Sequence, residues 1–112
     1  MADVCQDMSL SADETFGPVV ALSRFSGGED EAVALANDTP YGLGANVYTG
    51  DQERGMRVAS RIRSGQVGVN RYLTNMPGAP WVGQKQSGFG YIGGIEGYRQ
   101  FTSPKTISMS LA

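Results

Sequence analysis

Two short motifs near opposite ends of this sequence contain residue types that are well suited to holding a ligand. Residues 14–18 read ETFGP, and residues 80–90 read PWVGQKQSGFG. The carboxylate of Glu14 only accepts hydrogen bonds and has room for two hydroxyl donors, while the flat apolar ring of Phe16 can limit where a neighbouring planar group swings. Composition alone favours a solvated acid and a core aromatic at these positions, so their chemistry depends on what surrounds them.

Other chemical groups lack the neighbours that they would need. Cys5 is the one cysteine and the sequence contains no histidine, which removes Cys–His and Ser–His pairs and histidine-based metal sites. Lys85 would need burial or cationic neighbours to act as a neutral base. Residues 88–93 match G-x-G-x-x-G, but a dinucleotide fingerprint follows a strand, opens a crossover helix and has an acid about 20 residues further on. No acid follows Glu96, so we do not interpret these glycines as a phosphate loop.

Hydrophobic periodicity predicts an α/β fold that would position the two motifs. Three segments are apolar or β-prone and read as strands, the first of them buried: residues 19–25, 43–49 and 66–70. Helices are expected over residues 29–37, which begin with three acids, and over about 52–63, which follow Asp51 as the N-cap. Alternating strands and helices predict a partial parallel sheet with flanking helices and right-handed crossovers.

The spacing within the second predicted helix indicates which face is buried. Four apolar residues fall three and four apart and should face the core: Met56, Val58, Ala59 and Ile62. Gly65 follows where a left-handed C-cap would be wanted.

The C-terminal third begins with a long glycine-rich stretch. Residues 71–94 show little periodicity, and long loops of this kind in compact domains are usually functional. Residues 95–101 read as a short helix, and Pro104 ends that segment. Residues 105–111 (KTISMSL) alternate apolar and polar side chains, which is the clearest strand pattern in the chain.

Composition and charge exclude several functions. The sequence has 112 residues, of which 40% are hydrophobic, and a net charge of −2. This is one domain at most, and the absence of a basic run argues against nucleic-acid and anionic-membrane partners. No apolar stretch approaches the roughly 20 residues of a spanning helix, and the N-terminus does not read as a signal peptide. A single cysteine is compatible with a cytoplasmic protein.

Taken together, the two motifs resemble the C-terminal part of the NAD(P)-dependent aldehyde dehydrogenases. That family usually shows E-x-F-G-P and, later, P-F-G-G-x-K-x-S-G-x-G. Three further segments match in the same order: residues 35–37, 40–45 and 65–70. The resemblance extends from about residue 3 to residue 108 and therefore implies the fold of that family's catalytic domain.

The resemblance implies roles for four residues. Glu14 would hydrogen-bond the hydroxyls of the nicotinamide ribose, and Phe16 would pack beside the nicotinamide. Trp81 stands where the family commonly has Phe, and Asn75 stands where some relatives have another aromatic residue, so both are expected in the substrate pocket. Val82 replaces a usual glycine, a departure that affects the expected backbone conformation of this loop.

The resemblance also implies what is missing. The family's nucleotide-binding domain, nucleophilic cysteine, general-base glutamate and oxyanion-binding asparagine have no counterpart here, and Cys5 lies too close to Glu14 to be that nucleophile. We therefore expect no catalytic residue. Residues 1–104 would be a truncated catalytic-domain portion, and residues 105–112 a C-terminal oligomerisation strand.

Three hypotheses for function follow from the resemblance. The first is an aldehyde dehydrogenase-like fragment that is inactive alone and binds neither NAD nor NADP by itself. The second is an interaction module that forms homo-oligomers through its strand edges. The third is one subunit of a split enzyme that pairs with a larger dehydrogenase chain.

Overall fold

A computed structural model of the chain describes residues 1–72 and 76–111. In the described part, four helices and six short strands follow one another in chain order. They are α1 (Ser9–Ala12), α2 (Glu29–Asn37), β1 (Tyr41–Gly42), β2 (Gly44–Val47), α3 (Gln52–Ala59), β3 (Gln66–Val69), β4 (Trp81–Val82), β5 (Gln84–Lys85), β6 (Tyr91–Ile92) and α4 (Gly94–Arg99).

The centre of the fold is the parallel pair β2–β3, which confirms the predicted strand–helix–strand unit. Gly44 lies opposite Gln66, and Val47 lies opposite Val69. Helix α3 packs on both strands because Gly55, which is buried, lets the helix backbone approach closely. A Cβ at Gly55 would lie 2.6 Å from Cγ1 of Val69, so only glycine fits without displacing that side chain.

Helix α3 begins as predicted and ends earlier than predicted. The Asp51 carboxylate accepts a hydrogen bond from the backbone N–H of Arg54 at 3.0 Å, which is the expected N-cap. The helix ends at Ala59 rather than Arg63. Val58, Ala59 and Ile62 are half-buried, as expected, but Met56 is 61% exposed, so its assignment to the core is wrong. No described element packs against the surface that Met56 occupies.

Gly65 has a structural role, but not the one predicted for it. Its φ is not positive, so it does not form a left-handed C-cap. A Cβ on Gly65 would lie only 1.7 Å from the carbonyl oxygen of Val82. The glycine is required because two backbones meet there, which no local pattern could show.

Helix α2 forms as predicted and is joined to α3 by ion pairs. Glu29 contacts Arg54 at 3.2 Å and Arg57 at 2.9 Å, and Asp30 contacts Arg61 at 2.6 Å. Each of these acids lies in the first turn of α2, where negative charge also interacts favourably with the helix dipole.

The first predicted strand, residues 19–25, does not form a buried strand, so that prediction is wrong. The segment lies beside residues 1–4 through hydrogen bonds from Val4 N to Leu22 O and from Leu22 N to Met1 O. Val20 and Leu22 are 67% and 57% exposed. Burial of such a strand requires a sheet on its edges and elements on its faces, and the described residues provide neither.

The glycine-rich stretch contains more regular structure than its sequence indicates. Strand β4 pairs antiparallel with β6, and β5 pairs antiparallel with β1, which lies more than 40 positions earlier in the chain. The predicted short helix is α4. The α/β class is therefore correct, but only two of the three predicted strands join in a parallel sheet.

The C-terminal residues 105–111 form no strand in the described part. The three apolar side chains of the alternating pattern, Ile107, Met109 and Leu111, are 81%, 84% and 91% exposed. Only Val4 and Val33 are buried hydrophobic residues among those described. The radius of gyration is 19.1 Å, compared with about 13 Å for a compact chain of this length, so most of the chain's apolar surface has no partner.

No helix within residues 1–72 and 76–111 is long and apolar enough to cross a membrane.

Candidate functional site

One cavity is lined by residues of both the N-terminal motif and the glycine-rich loop. It has a volume of about 840 Å³ and is called here the Glu14–Trp81 cavity. Several segments of the chain contribute to its lining: residues 11–14, Ala36, Thr39, residues 41–46, residues 62–64, Tyr72, Trp81, Gln86 and Ser87. Strands β1 and β2 contribute to this lining, so segments distant in sequence meet here.

Glu14 lies at this cavity with its carboxylate available. The residue is exposed, lines the cavity, and has no side-chain hydrogen bond or ion pair within the described residues. A free carboxylate can accept bonds from two hydroxyl groups, such as those of a ribose. The chemistry of the residue therefore fits the predicted cofactor contact.

Phe16 lies apart from this cavity. It is 88% exposed and is not part of the cavity lining. The structure therefore brings Glu14 to the cavity and leaves the ring of Phe16 in solvent.

Trp81 is half-buried in strand β4 and lines both the Glu14–Trp81 cavity and a second cavity of about 330 Å³. The second cavity lies between strand β3 and residues 76–82 and includes Gln66 and Tyr72. The other predicted substrate-pocket residue, Asn75, lies outside the described residues. Tyr72, which lines both cavities, was missed by the sequence analysis because a lone tyrosine in a glycine-rich stretch carries no pattern.

Two further residues of the matched segments, Asn70 and Lys85, hold backbone in place. Asn70 has a φ of +52°, and its side-chain amide pairs with both the N–H and the C=O of Thr49 at 2.8 Å. Lys85 donates from Nζ to the carbonyl oxygens of Asn37 and Thr39, each at 3.0 Å. Asn70 thus continues the β2–β3 pairing past its last backbone pair, and Lys85 satisfies carbonyls at the end of α2.

The residues rejected as catalytic candidates show no constellation for chemistry. Cys5 is exposed, and its nearest polar partner is the carbonyl of Asp3 at 3.8 Å. The G-x-G-x-x-G stretch contains the antiparallel strand β6 rather than the turn between a parallel strand and a crossover helix. In the described part of the chain, no group of three or more His, Cys, Asp or Glu residues could hold a metal ion.

Shifted pKa values occur in helices α2 and α3 and at the N-cap of α3. The hydrogen bond from Arg57 lowers the pKa of Glu29 below its ordinary value of 4.5, and the same pairing raises the pKa of Arg57. The backbone N–H of Arg54 lowers the pKa of Asp51 below 3.8. Each shift arises from a contact that stabilises a helix, so these groups are structural.

Comparison with known proteins defines the class to which this α/β fold and its motifs belong. The sequence profile of the Aldehyde dehydrogenase family matches residues 1–107. The NADP/NAD-dependent aldehyde dehydrogenase PuuC of Escherichia coli (strain K12) is 44% identical over 109 residues, which cover 97% of this chain and 22% of that protein.

Solved structures agree with the sequence comparison. Mycobacterium tuberculosis aldehyde dehydrogenase in complex with NAD⁺ superimposes with a TM-score of 0.84 at 42% identity, covering 91% of this chain and 21% of that one. Aldehyde dehydrogenase C of Pseudomonas syringae, in a complex with NAD⁺ and octanal, gives a TM-score of 0.81 at 46% identity, covering 89% and 20%.

The chain belongs to the aldehyde dehydrogenase family, as its two motifs indicated. It spans only about a fifth of the length of the relatives that it matches.

Proposed function

We propose that the chain acts as the C-terminal catalytic-domain portion of an NAD(P)-dependent aldehyde dehydrogenase, whose reaction is the oxidation of an aldehyde to an acid. One observation carries the proposal. The family profile matches residues 1–107, but the chain covers only about a fifth of the length of a relative. Residues 1–104 would belong to the catalytic domain, and residues 105–112 would form an oligomerisation strand.

Within such an enzyme, Glu14 and Phe16 would contact the cofactor. The unpartnered carboxylate of Glu14 at the Glu14–Trp81 cavity supports the first assignment. For Phe16, the support is its large exposed ring, which a planar nicotinamide could cover. When bound, NAD or NADP supplies the hydride acceptor, and this chain supplies hydrogen-bond acceptors and apolar surface that orient it.

Trp81 and Asn75 would line the substrate pocket. The role is supported by the position of Trp81 in the lining of the Glu14–Trp81 cavity and of three further cavities. Its indole is also larger than the phenylalanine usual at this position. A narrower pocket would result, and we expect it to favour slender aldehydes.

The isolated chain would be inactive. Holding an aldehyde and a hydride acceptor in register supplies much of the rate of such a reaction, and this chain offers only a few contacts to either of them. Cofactor binding by the isolated chain would be correspondingly weak, because Glu14 and Phe16 cannot replace a whole cleft.

A second candidate is a split enzyme in which this chain pairs with a larger dehydrogenase chain, or an oligomerising module that pairs with further copies. The exposure of residues 19–25 and 105–111 favours these arrangements over an independent monomer, because both segments carry strand patterns whose apolar side chains are uncovered. On either reading we expect a cytoplasmic location.

A chimeric enzyme tests the main proposal. Residues 1–111 of this chain would replace the matching segment of the E. coli relative, and reduction of NAD and NADP would be followed with several aldehydes. We expect an active chimera in which Glu14→Ala and Phe16→Ala raise KM for the cofactor, whereas Trp81→Ala changes KM for the aldehyde. A matched control is Tyr48→Ala, an exposed aromatic residue outside both cavities.

The same relative, shortened by the matching segment, tests the split-enzyme alternative when it is mixed with this chain. Activity that appears only in the mixture would support pairing in trans. Aldehyde oxidation by this chain alone would overturn the proposal that it is an incomplete catalytic domain.

A further inference from the structure

Lys85 occupies an unusual position in the glycine-rich loop. Its ammonium group is half-buried and donates two hydrogen bonds of 3.0 Å to the carbonyl oxygens of Asn37 and Thr39. Asn37 is the last residue of α2, where carbonyls lack partners within the helix and a positive charge is favoured by the dipole. The lysine therefore binds the end of a helix that lies 46 to 48 positions earlier in the chain.

The backbone of Lys85 is held in a conformation that a lysine rarely adopts. Its φ is +55°, in the left-handed region that costs energy for a residue with a Cβ. Such a conformation persists where the surrounding contacts determine it. The side-chain bonds of Lys85 are contacts of this kind.

Residues 84–87, called here the docking segment, add further contacts to the same region. The backbone N–H of Gln86 donates to Pro40 O at 2.9 Å, and the hydroxyl of Ser87 accepts from Gly42 N at 2.9 Å. Strand β5 pairs with β1 alongside them. A Cβ at Gly42 would lie 2.8 Å from Arg63 O, so the docking segment rests on tightly packed backbone.

Only two residues separate the docking segment from Trp81, so a shift of one should move the other. A Cβ at Gly83 would lie 2.7 Å from the carbonyl oxygen of Ser87, which shows that the chain folds tightly back on itself. Thr39, Tyr41, Trp81 and Ser87 all line the Glu14–Trp81 cavity. Lys85 bonds the segment that contains Thr39 to the segment that contains Trp81 and Ser87.

We propose that Lys85 is a positioning residue that fixes the place of Trp81 in the Glu14–Trp81 cavity by anchoring the docking segment to the C-terminal end of α2. Its ammonium protons are directed at backbone carbonyls rather than into the cavity, so it acts through the loop and not on a ligand. The inference rests on the proposed function in one respect, which is the assignment of Trp81 to a substrate pocket.

The composition of the chain allows a direct spectroscopic test, because Trp81 is its one tryptophan. We would compare Lys85→Met and Lys85→Arg with Lys105→Met, which removes the only other lysine from the exposed C-terminal residues. We expect Lys85→Met to shift Trp81 emission to the red and to increase acrylamide quenching by about twofold or more, as for a locally opened segment. Lys85→Arg keeps a hydrogen-bond donor and should therefore cause a smaller red shift and less quenching than Lys85→Met. Lys105→Met should leave the spectrum unchanged.

A second measurement needs no variant. Amine-acylating reagent would be applied to the wild-type chain, and modification of the two lysines would be followed by mass spectrometry. We expect Lys85 to react about tenfold more slowly than Lys105, because its charged donor is held by two carbonyls, and the difference should vanish in denaturant. Equal rates in the folded chain, or Trp81 emission and quenching in Lys85→Met that match the wild type, would overturn the proposal.

The chimeric enzyme separates this inference from the proposed function. There we expect Lys85→Met to raise KM for the aldehyde more than KM for the cofactor. An inactive chimera of the wild-type sequence would count against the proposed function, while the fluorescence and labelling results would still decide the role of Lys85.

Discussion

Individual residues in this chain act mainly by holding backbone in place. Asn70 completes a strand pair with its side chain, and Lys85 satisfies the end of a helix. Both have positive φ values, and both lie in segments through which the sequence resembles the aldehyde dehydrogenases. Their residue types suggest catalytic chemistry in isolation, but their hydrogen-bond partners are all backbone groups.

Glu29 provides a prediction at this scale. Because its pKa is lowered in the folded chain, mainly by the hydrogen bond from Arg57, its ionised form stabilises the fold. This contribution is fully present above the ordinary value of 4.5 and is lost as the pH falls through the lower folded pKa. We therefore expect Glu29→Gln to lower the unfolding midpoint at neutral pH and to have progressively less effect in acid, as measured by thermal unfolding across a pH series.

Glu53→Gln is a matched control for that experiment. Glu53 also lies in the first turn of a helix, so its variant loses the same kind of dipole interaction but keeps the ion pairs of Glu29 with Arg54 and Arg57. A pH profile of Glu29→Gln that coincides with that of Glu53→Gln would show that the arginine contacts contribute nothing measurable.

At the scale of elements, close backbone approach determines where the helices and loops lie. Gly55 allows α3 to lie close to β3. Gly65, which directly precedes β3, allows the backbone there to lie close to the carbonyl oxygen of Val82. Periodicity correctly predicted α2, most of α3 and two parallel strands, because apolar spacing is a local property of a helix or strand. It placed Met56 in the core wrongly, because spacing identifies a face without showing whether anything packs on it.

Gly55 provides a prediction for an element. Alanine is the better helix former by about 1 kcal/mol, but its Cβ would lie 2.6 Å from the stiff side chain of Val69. Overpacking of this kind costs about 1 to 3 kcal/mol, so we expect Gly55→Ala to decrease the free energy of unfolding by about 1 kcal/mol. Denaturant titration followed by circular dichroism would measure it.

Two variants make the interpretation of Gly55→Ala specific. Gly50→Ala has no atom within 4 Å of the new Cβ and should not destabilise the chain. In a Val69→Ala background the 2.6 Å approach to Cγ1 is removed and a 3.1 Å approach to Cγ2 of Thr49 remains, so Gly55→Ala should become less destabilising. A stabilising Gly55→Ala in the wild-type background would show that α3 is not held against β3.

At the scale of the whole molecule, unpaired apolar surface is the dominant feature. The described residues extend over 75 × 31 × 23 Å, and both residues 19–25 and residues 105–111 present exposed apolar side chains. Since the chain spans about a fifth of its relatives, this surface supports the proposal that further polypeptide covers it.

The C-terminal residues provide a prediction at this scale. On the proposal that they form an oligomerisation strand, Ile107→Lys and Met109→Lys should weaken self-association, because burying such a side chain contributes about 1.5 to 3 kcal/mol, or at least about tenfold in Kd. Thr106→Lys and Ser108→Lys add the same charge to the polar face and serve as controls. Sedimentation equilibrium would measure the dissociation constants, and equal values for both pairs would argue against an apolar strand interface.

The candidate site was only partly predictable from the sequence. The two motifs identified Glu14 and Trp81, which both line one cavity, whereas Phe16 lies outside it and Tyr72 was not anticipated. Motif matching reports residue identity at a position, but the cavity is made by segments that pair across tens of positions, such as β1 with β5.

The amino-acid sequence by itself determined the family, the order of strand, helix and strand around Asp51, and the N-terminal cap of α3, because these depend on residue identity and on contacts within a few positions. Only the tertiary structure decided which strands found partners, why Gly65 must be glycine, and that Lys85 binds the end of α2. Those outcomes depend on contacts between distant segments, whose pairing depends on how the whole chain packs rather than on local propensity.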